Sequence, residues 1–326
     1  MPHVLVVGPI HASGMAVLQT ASGVTLDVVN QPTLQAYAPY VGKAEAILIR
    51  TQPMPASVIA AAPLLKVVSR HGVGYDAVDI SALNARGIPL AIVGDVNSVS
   101  VAEHTMMLML ALSKQATAYD AAVRGTGWGT RNRFTAFELS GKTLLLLGFG
   151  RIGRLVAQRA AAFGMRVEAY DPFVAKTAIE AAGAAPVADL DAAYARADVV
   201  SVHMPRTDGK AIMGARELAL LKPSALVVNT ARGGLIEEAA LATALSSGKL
   251  AGAGLDVFDA EPPPPDHALL KEPRAILSPH IAGLSIESAE RMAVSSAQNI
   301  LDYFAGRLDP SLVVNRAAIA GAASCQ

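Results

Sequence analysis

The stretch Leu144-Leu145-Leu146-Leu147-Gly148-Phe149-Gly150-Arg151-Ile152-Gly153 decides the fold. Four successive leucines read as a strand buried on both faces, as in a parallel sheet covered by helices. A Gly-x-Gly-x-x-Gly turn follows at once, and Arg151 to Phe163 reads as a helix stopped by Gly164. The glycines have separate tasks. Gly148 makes the tight turn, Gly150 lets backbone approach a pyrophosphate, and Gly153 allows close packing of helix on strand. The helix start adds N–H groups and a positive dipole end for phosphate. The glycines alone would be a weak sign; strand, turn and helix in order predict a dinucleotide site.

The next strand, Val167–Tyr170, ends at Asp171, 18 residues beyond Gly153. An acidic residue about 20 residues on is the expected ribose partner. Its carboxylate suits both adenosine ribose hydroxyls and repels a 2′-phosphate. With no Arg directly after it, NAD is favoured over NADP.

Outward from this core, short Val/Ile/Leu runs alternate with Ala-rich helical stretches on both sides, the pattern of βαβ units. Before it, strands are expected near Val4–Val7, Leu26–Val29, Ala46–Ile49, Lys66–Ser69 and Leu90–Val93. After it, they are expected at Thr143–Leu147, Val167–Tyr170, Val199–His203, Leu226–Asn229, Gly254–Val257 and Ala275–Leu277. Prolines such as Pro32 and Pro39 mark loops. Ser100 and Glu103 form a capping-box pattern ahead of one long helix running to Arg124, read as crossing between domains. A helix from about Ser285 to Phe304 crosses back. The expected fold class is α/β with two doubly wound parallel-sheet domains: residues 99–284 inserted between 1–98 and 285–326, with a ligand cleft between them.

Composition bounds the function. The 326 residues are 52% apolar, 17% charged and only 5% aromatic, so aliphatic side chains fill the cores and disorder is excluded. The 27 basic and 27 acidic residues cancel, which gives no nucleic-acid footprint. One cysteine, Cys325, permits no internal disulfide and fits a reducing cytoplasm. The N-terminal apolar run lacks the basic flank of a signal peptide, and no run reaches membrane-span length. His3, His11, His104 and His267 lack ligand partners at useful spacing, so no metal is expected.

A nicotinamide dinucleotide carries a hydride; were its acceptor a 2-oxo acid, the reaction would need a cation for the carboxylate, polarisation of the carbonyl and a proton for the new alkoxide. Three residues follow expected strands, where open α/β sheets bind ligands. Arg232 follows Leu226–Asn229, and its planar fork suits a carboxylate and the adjacent carbonyl together. Glu261 follows Gly254–Val257, and His280 follows Ala275–Leu277. His280 is the neutral-pH proton carrier, with Glu261 orienting its ring.

The chain resembles the D-isomer-specific 2-hydroxyacid dehydrogenases over nearly its whole length. The resemblance rests on His71-Gly72-Val73-Gly74-Tyr75-Asp76, Ser100-Val101-Ala102-Glu103-His104-Thr105, Gly148–Gly153, Thr230-Ala231-Arg232-Gly233, Asp256-Val257-Phe258-Asp259-Ala260-Glu261-Pro262 and Ser278-Pro279-His280-Ile281-Ala282-Gly283. It implies a Rossmann NAD-binding domain inserted in a flavodoxin-like substrate domain, and Arg232, Glu261 and His280 as the catalytic set. It implies substrate carboxylate on the Val73 and Gly74 amides, a Gly-flanked nest. Thr105 is implied near the nicotinamide, Asp256 on its amide, and His203 and Pro205 along the adenosine. Arg151, Ile152, Thr230, Ala231, Arg232, His280 and Gly283 complete the implied cofactor surroundings. Members are usually homodimers; the apolar run Met106–Leu112 and Trp128, read as a packing or interface anchor, are compatible with that.

Arg50 and His71, beside Gly72, sit where substituents beyond C2 of a substrate would be read. The expected substrate is a short polar acid, such as glyoxylate or hydroxypyruvate, or an acid with a second anionic group. A 3-phosphoglycerate dehydrogenase is the alternative enzyme. Relatives with a C-terminal regulatory domain are longer, and this chain ends about 22 residues after Phe304. Formate dehydrogenases carry Gln where Glu261 stands. An NAD-sensing corepressor-like binding protein is the alternative from another class.

Overall fold

The structure is a computed structural model that describes residues 2–31, 33–206 and 209–323; Pro32 and Cys325 lie outside the described residues. The chain divides into two compact units, Met1–Asn97 with Leu284–Gln326, and Ser98–Gly283.

The first unit carries a five-stranded parallel sheet of β1 (His3–Val7), β2 (Thr25–Val29), β3 (Ala46–Ile49), β4 (Val67–Arg70) and β5 (Leu90–Ala91), in the order β2-β1-β3-β4-β5. This is the flavodoxin-like order, whose direction reverses between β1 and β3. Val4–Val7 and Ala46–Ile49 are fully buried, because helices cover both faces. One cover is the helix Ile286–Phe304, capped by Ser285 Oγ on the Ser288 N–H, which packs on the helix Ala12–Thr20 and on β3 and β4. β5 ends at Ala91, not at Val93 as expected. Ile92 instead donates its N–H to Leu312, in the unit's C-terminal segment.

The second unit carries β6 (Thr143–Leu147), β7 (Arg166–Tyr170), β8 (Ala185–Pro186), β9 (Val199–Val202), β10 (Leu226–Asn229), β11 (Gly252–Leu255) and β12 (Ala275–Leu277), all parallel, in the order β12-β11-β10-β9-β6-β7-β8. The order reverses between β6 and β9, the Rossmann arrangement with one further strand. β8 is too short and too weakly apolar to have been read from sequence. β11 lies two residues earlier than expected. The apolar run continues to the buried Val257, so its pairing with β10 and β12 sets the strand limits rather than hydrophobicity. Gly254 is closely packed there: a Cβ on it would lie 3.0 Å from the side chain of Leu108, in the helix Ser98–Ser113.

That helix corrects two expectations. It starts at Ser98, so Ser100 is internal, and its Oγ donates to the Ala282 carbonyl at 2.6 Å instead of capping. It ends at Ser113. Gln115 takes φ +55°, and a separate helix runs Ala116–Arg124. The first helix is committed to the second unit's own core, with Met106, Leu108, Met109 and Leu112 buried and the helix packed on β10, β11 and the helix Arg151–Ala162. The second helix buries no residue, so no common apolar face carries one straight helix across the break. Among the described residues no helix is long and apolar enough to cross a membrane.

Candidate active site

The catalytic candidates of the second unit all lie just past the C-terminal ends of strands. Beyond β6, Gly148 adopts φ +102°, and a Cβ on it would meet the His203 carbonyl at 2.6 Å. Gly153 lies so close that a Cβ would sit 2.4 Å from the Gly148 carbonyl. Gly150, by contrast, faces open space and starts the helix Arg151–Ala162 with no side-chain cap. Arg151 and Ile152 follow in the first turn. An uncapped helix start behind an open glycine is a cradle that fits a pyrophosphate.

Asp171, at the end of β7, accepts the Phe149 N–H at 2.8 Å through Oδ2 and the Phe173 N–H at 2.9 Å through Oδ1. It therefore ties the glycine turn to the β7 end, and each oxygen keeps capacity for a further donor. The His203 ring is buried beyond β9, with Nε2 on Ser201 Oγ at 2.8 Å, and burial pushes it down to about 3. Pro205 lies exposed two residues on. Thr105 is fully buried, donating to the Val101 carbonyl and meeting Thr230 Oγ1 at 2.9 Å. It is packed within the unit's core, and Thr230 is buried with it.

Arg232 is presented by a turn that Asn229 shapes. Asn229 Oδ1 accepts the Ala231 N–H, and its Nδ2 donates to the Arg232 carbonyl at 2.8 Å. Arg232 Nη1 donates to the Ala231 carbonyl. Next to it, Gly233 lies against the Phe258 backbone, with no room for a Cβ. The Arg232 turn and the loop carrying Glu261 are thereby interlocked.

Glu261 and His280 meet. His280 Nδ1 lies 2.7 Å from Glu261 Oε2, while Glu261 Oε1 accepts the Phe258 N–H at 3.1 Å. Burial acts to raise the Glu261 carboxyl, but the His280 hydrogen bond, the Phe258 N–H and the charges of His280 and Arg232 together hold it below the usual carboxylate range. With Nδ1 committed to the carboxylate, Nε2 is the nitrogen left for proton exchange. His280 side-chain exposure is 50%, so a solute can reach it.

His280 has φ +53°, a left-handed backbone uncommon outside glycine. Asp256 holds it there. The Asp256 carbonyl accepts the His280 N–H at 2.8 Å, and its carboxylate accepts Ser278 Oγ–H at 2.5 Å and the Ile281 and Ala282 N–H groups at 2.9 and 2.8 Å. His104 Nε2 lies on Ser278 Oγ at 2.8 Å. Gly283 closes this turn at the unit's end. Sequence reasoning missed Ser278 and Asn229 as shapers of the catalytic turns. Their only signal is a small polar residue at a strand end.

In the first unit, Arg50 directly follows β3 and donates to the Pro9 carbonyl at 3.3 Å. His71 is 5% exposed, and neither ring nitrogen has a hydrogen-bond partner among the described residues. Burial, then the charges of Arg50 and Arg70, push it down to about 4. Gly72 takes φ +142° beside the Arg70 guanidinium; Val73 completes the same bend and Gly74 follows it.

Comparison with known proteins agrees with this picture. Residues 106–282 match the family model "D-isomer specific 2-hydroxyacid dehydrogenase, NAD binding domain". D-3-phosphoglycerate dehydrogenase of Mycobacterium bovis is 40% identical over 315 residues, 96% of this chain and 59% of that protein. The chain thus spans about three fifths of such relatives. Glyoxylate reductase of Korarchaeum cryptofilum is 36% identical over 271 residues, 82% of this chain and 81% of that protein. The structure of D-lactate dehydrogenase from Aquifex aeolicus, complexed with NAD and lactic acid, superimposes with a TM-score of 0.86 at 27% identity, covering 95% of this chain and 98% of that one. The chain belongs to the D-isomer-specific 2-hydroxyacid dehydrogenase family and carries that family's NAD-binding domain.

Proposed function

We propose that the protein is an NAD-dependent dehydrogenase that interconverts a small 2-oxo acid and its 2-hydroxy acid. The observation that supports this best is the 2.7 Å pairing of Glu261 with His280 Nδ1, beside the interlocked Arg232 turn. The Gly148–Gly153 turn, Asp171 and the open helix start fit the dinucleotide, which supplies or takes the hydride when bound. Arg232 holds the substrate carboxylate and polarises the carbonyl with its planar fork. Within the first unit, the Val73 and Gly74 amides are proposed as an anion-binding nest. In reduction, His280 Nε2 donates the proton to the alkoxide oxygen. Glu261 accepts from Nδ1–H, orients the ring and stabilises the imidazolium before transfer.

For the substrate, the Arg50, Arg70 and His71 group favours a short polar acid, glyoxylate- or hydroxypyruvate-like, or one with a second anionic group. The 40% identity to phosphoglycerate dehydrogenases favours the phosphorylated alternative within that class. A panel of glyoxylate, hydroxypyruvate, 3-phosphohydroxypyruvate and a branched apolar 2-oxo acid, each with NADH and NADPH, tests this. NADH oxidation by a polar acid is expected. Strong preference for the branched acid would sink the substrate assignment. NADH binding without turnover of any acid would favour a nucleotide sensor.

We further propose that the protein works as a homodimer. Met107, Leu110 and Ala111 line an apolar depression of about 670 Å³ with Lys114 and Phe163, and Trp128 and Phe134 stand exposed nearby in sequence. Light scattering that gives a monomer mass at micromolar concentration would exclude this.

A further inference from the structure

Glu238 begins the helix Glu238–Ser246, where a negative charge is favoured by the helix dipole. Its carboxylate reaches away from that helix to two partners. Oε1 accepts the Asp259 N–H at 2.7 Å, and Oε2 meets His267 Nε2 at 2.8 Å. The side chains of Glu238 and His267 are only 17% and 18% exposed. Hydrogen bonds to an ionised acceptor are the strong kind, and partial burial spares this pair the screening of exposed ion pairs.

The partners are informative. His267 packs edge-on against Phe258, with ring centroids 5.9 Å apart. Phe258 donates its N–H to Glu261, and its carbonyl lies against Gly233. Asp259 also accepts Arg206 Nη1 at 2.8 Å, but that pair is well exposed and correspondingly weak. Segment 258–261 is thus gripped at the Asp259 amide and the Phe258 ring, and both grips end on the Glu238–His267 pair. Glu238 itself does not touch His280.

We propose that Glu238 is a positioning residue for Glu261, fixing segment 258–261 so that the carboxylate stays on His280 Nδ1. The inference rests on the roles of Glu261 and His280 given above. Carboxylate and imidazole must be held within about 0.5 Å of the productive geometry, and a misplacement of about 1 Å costs up to roughly a hundredfold in rate.

The test is a double-mutant cycle on the full-length protein, following reduction of the preferred acid of the panel by NADH across pH. Glu261→Gln removes a negative charge that favours the imidazolium over the neutral ring, so the pH at which reduction fails should fall. Glu238→Ala should move that limb in the same direction and lower kcat by roughly ten- to a hundredfold, with KM for NADH unchanged. Glu238→Gln, which keeps an acceptor for Asp259, should restore most of the rate. Adding Glu238→Ala to Glu261→Gln should cost little more. If Glu238→Ala fails to fold, His267→Leu serves instead, with a smaller shift of the same sign. A lower kcat with an unmoved limb, or additive effects in the cycle, overturns the inference while leaving the Glu261 role intact. An unmoved limb in Glu261→Gln overturns the underlying reading, and the inference with it.

Discussion

His280 is held in a left-handed backbone by four bonds from Asp256 and its neighbours, and only its ring is left to act. Replacing it by Ala removes the one proposed proton carrier while leaving the backbone bonds possible. Steady-state kinetics should show kcat reduced by roughly 10²–10⁴-fold, with NADH affinity retained. His71 makes a different prediction. Its folded-state value of about 4 lies below the unfolded reference of about 6.5, so the unfolded chain binds more protons between those pH values. The stability this neutral ring allows is complete above about pH 6.5 and is lost as pH falls toward 4, by up to about 3 kcal/mol. Chemical denaturation at pH 7 and 4.5 should show a smaller acid loss for His71→Gln than for the parent. Equal losses would mean that the parent ring finds a partner for its proton.

At the scale of elements, the strand–glycine–helix unit from Thr143 to Ala162 depends on one close approach. Gly153 leaves no space for a methyl group above the Gly148 carbonyl. Gly153→Ala must push the helix Arg151–Ala162 away from β6, moving the cradle at Gly150. A loss of NADH affinity of tenfold or more is expected by fluorescence titration, roughly 1.4 kcal/mol, together with a lower Tm. Unchanged affinity would mean that the turn relaxes without moving the helix start. The same unit was the most legible part of the sequence, because a buried apolar strand and a glycine turn are local signals. The break at Gln115 was not legible. The Leu- and Met-rich sequence before it and the Ala-rich sequence after it are both good helix formers, and the difference appears only in burial: Ser98–Ser113 packs into the core while Ala116–Arg124 buries no residue.

For the whole molecule, the second unit is one continuous segment with its own apolar core on each face of its sheet. A protein comprising 98–283 alone is predicted to fold and to bind NADH. At about a hundred times the Kd, NADH should stabilise it by about 2.7 kcal/mol, read as a rise in unfolding midpoint. The first unit joins two distant segments, its helix Ile286–Phe304 packing on Ala12–Thr20. Residues 1–97 alone should therefore show no cooperative unfolding transition by circular dichroism.

The sequence by itself determined the strand pattern apart from β8 and some strand limits, the two parallel sheets and the dinucleotide turn, since these follow from hydrophobic runs and glycine spacing within short windows. It also singled out Arg232, Glu261 and His280 as candidates, because each stands just past a strand. Tertiary structure decided which of them touch. Glu261 and His280 are 19 residues apart in sequence and come within 2.7 Å because β11 and β12 are adjacent and parallel. It also decided that Thr105 is packed in the core and that Asp256 clamps the His280 turn. Such assignments depend on contacts across strands, and no pattern along a single stretch of chain encodes them.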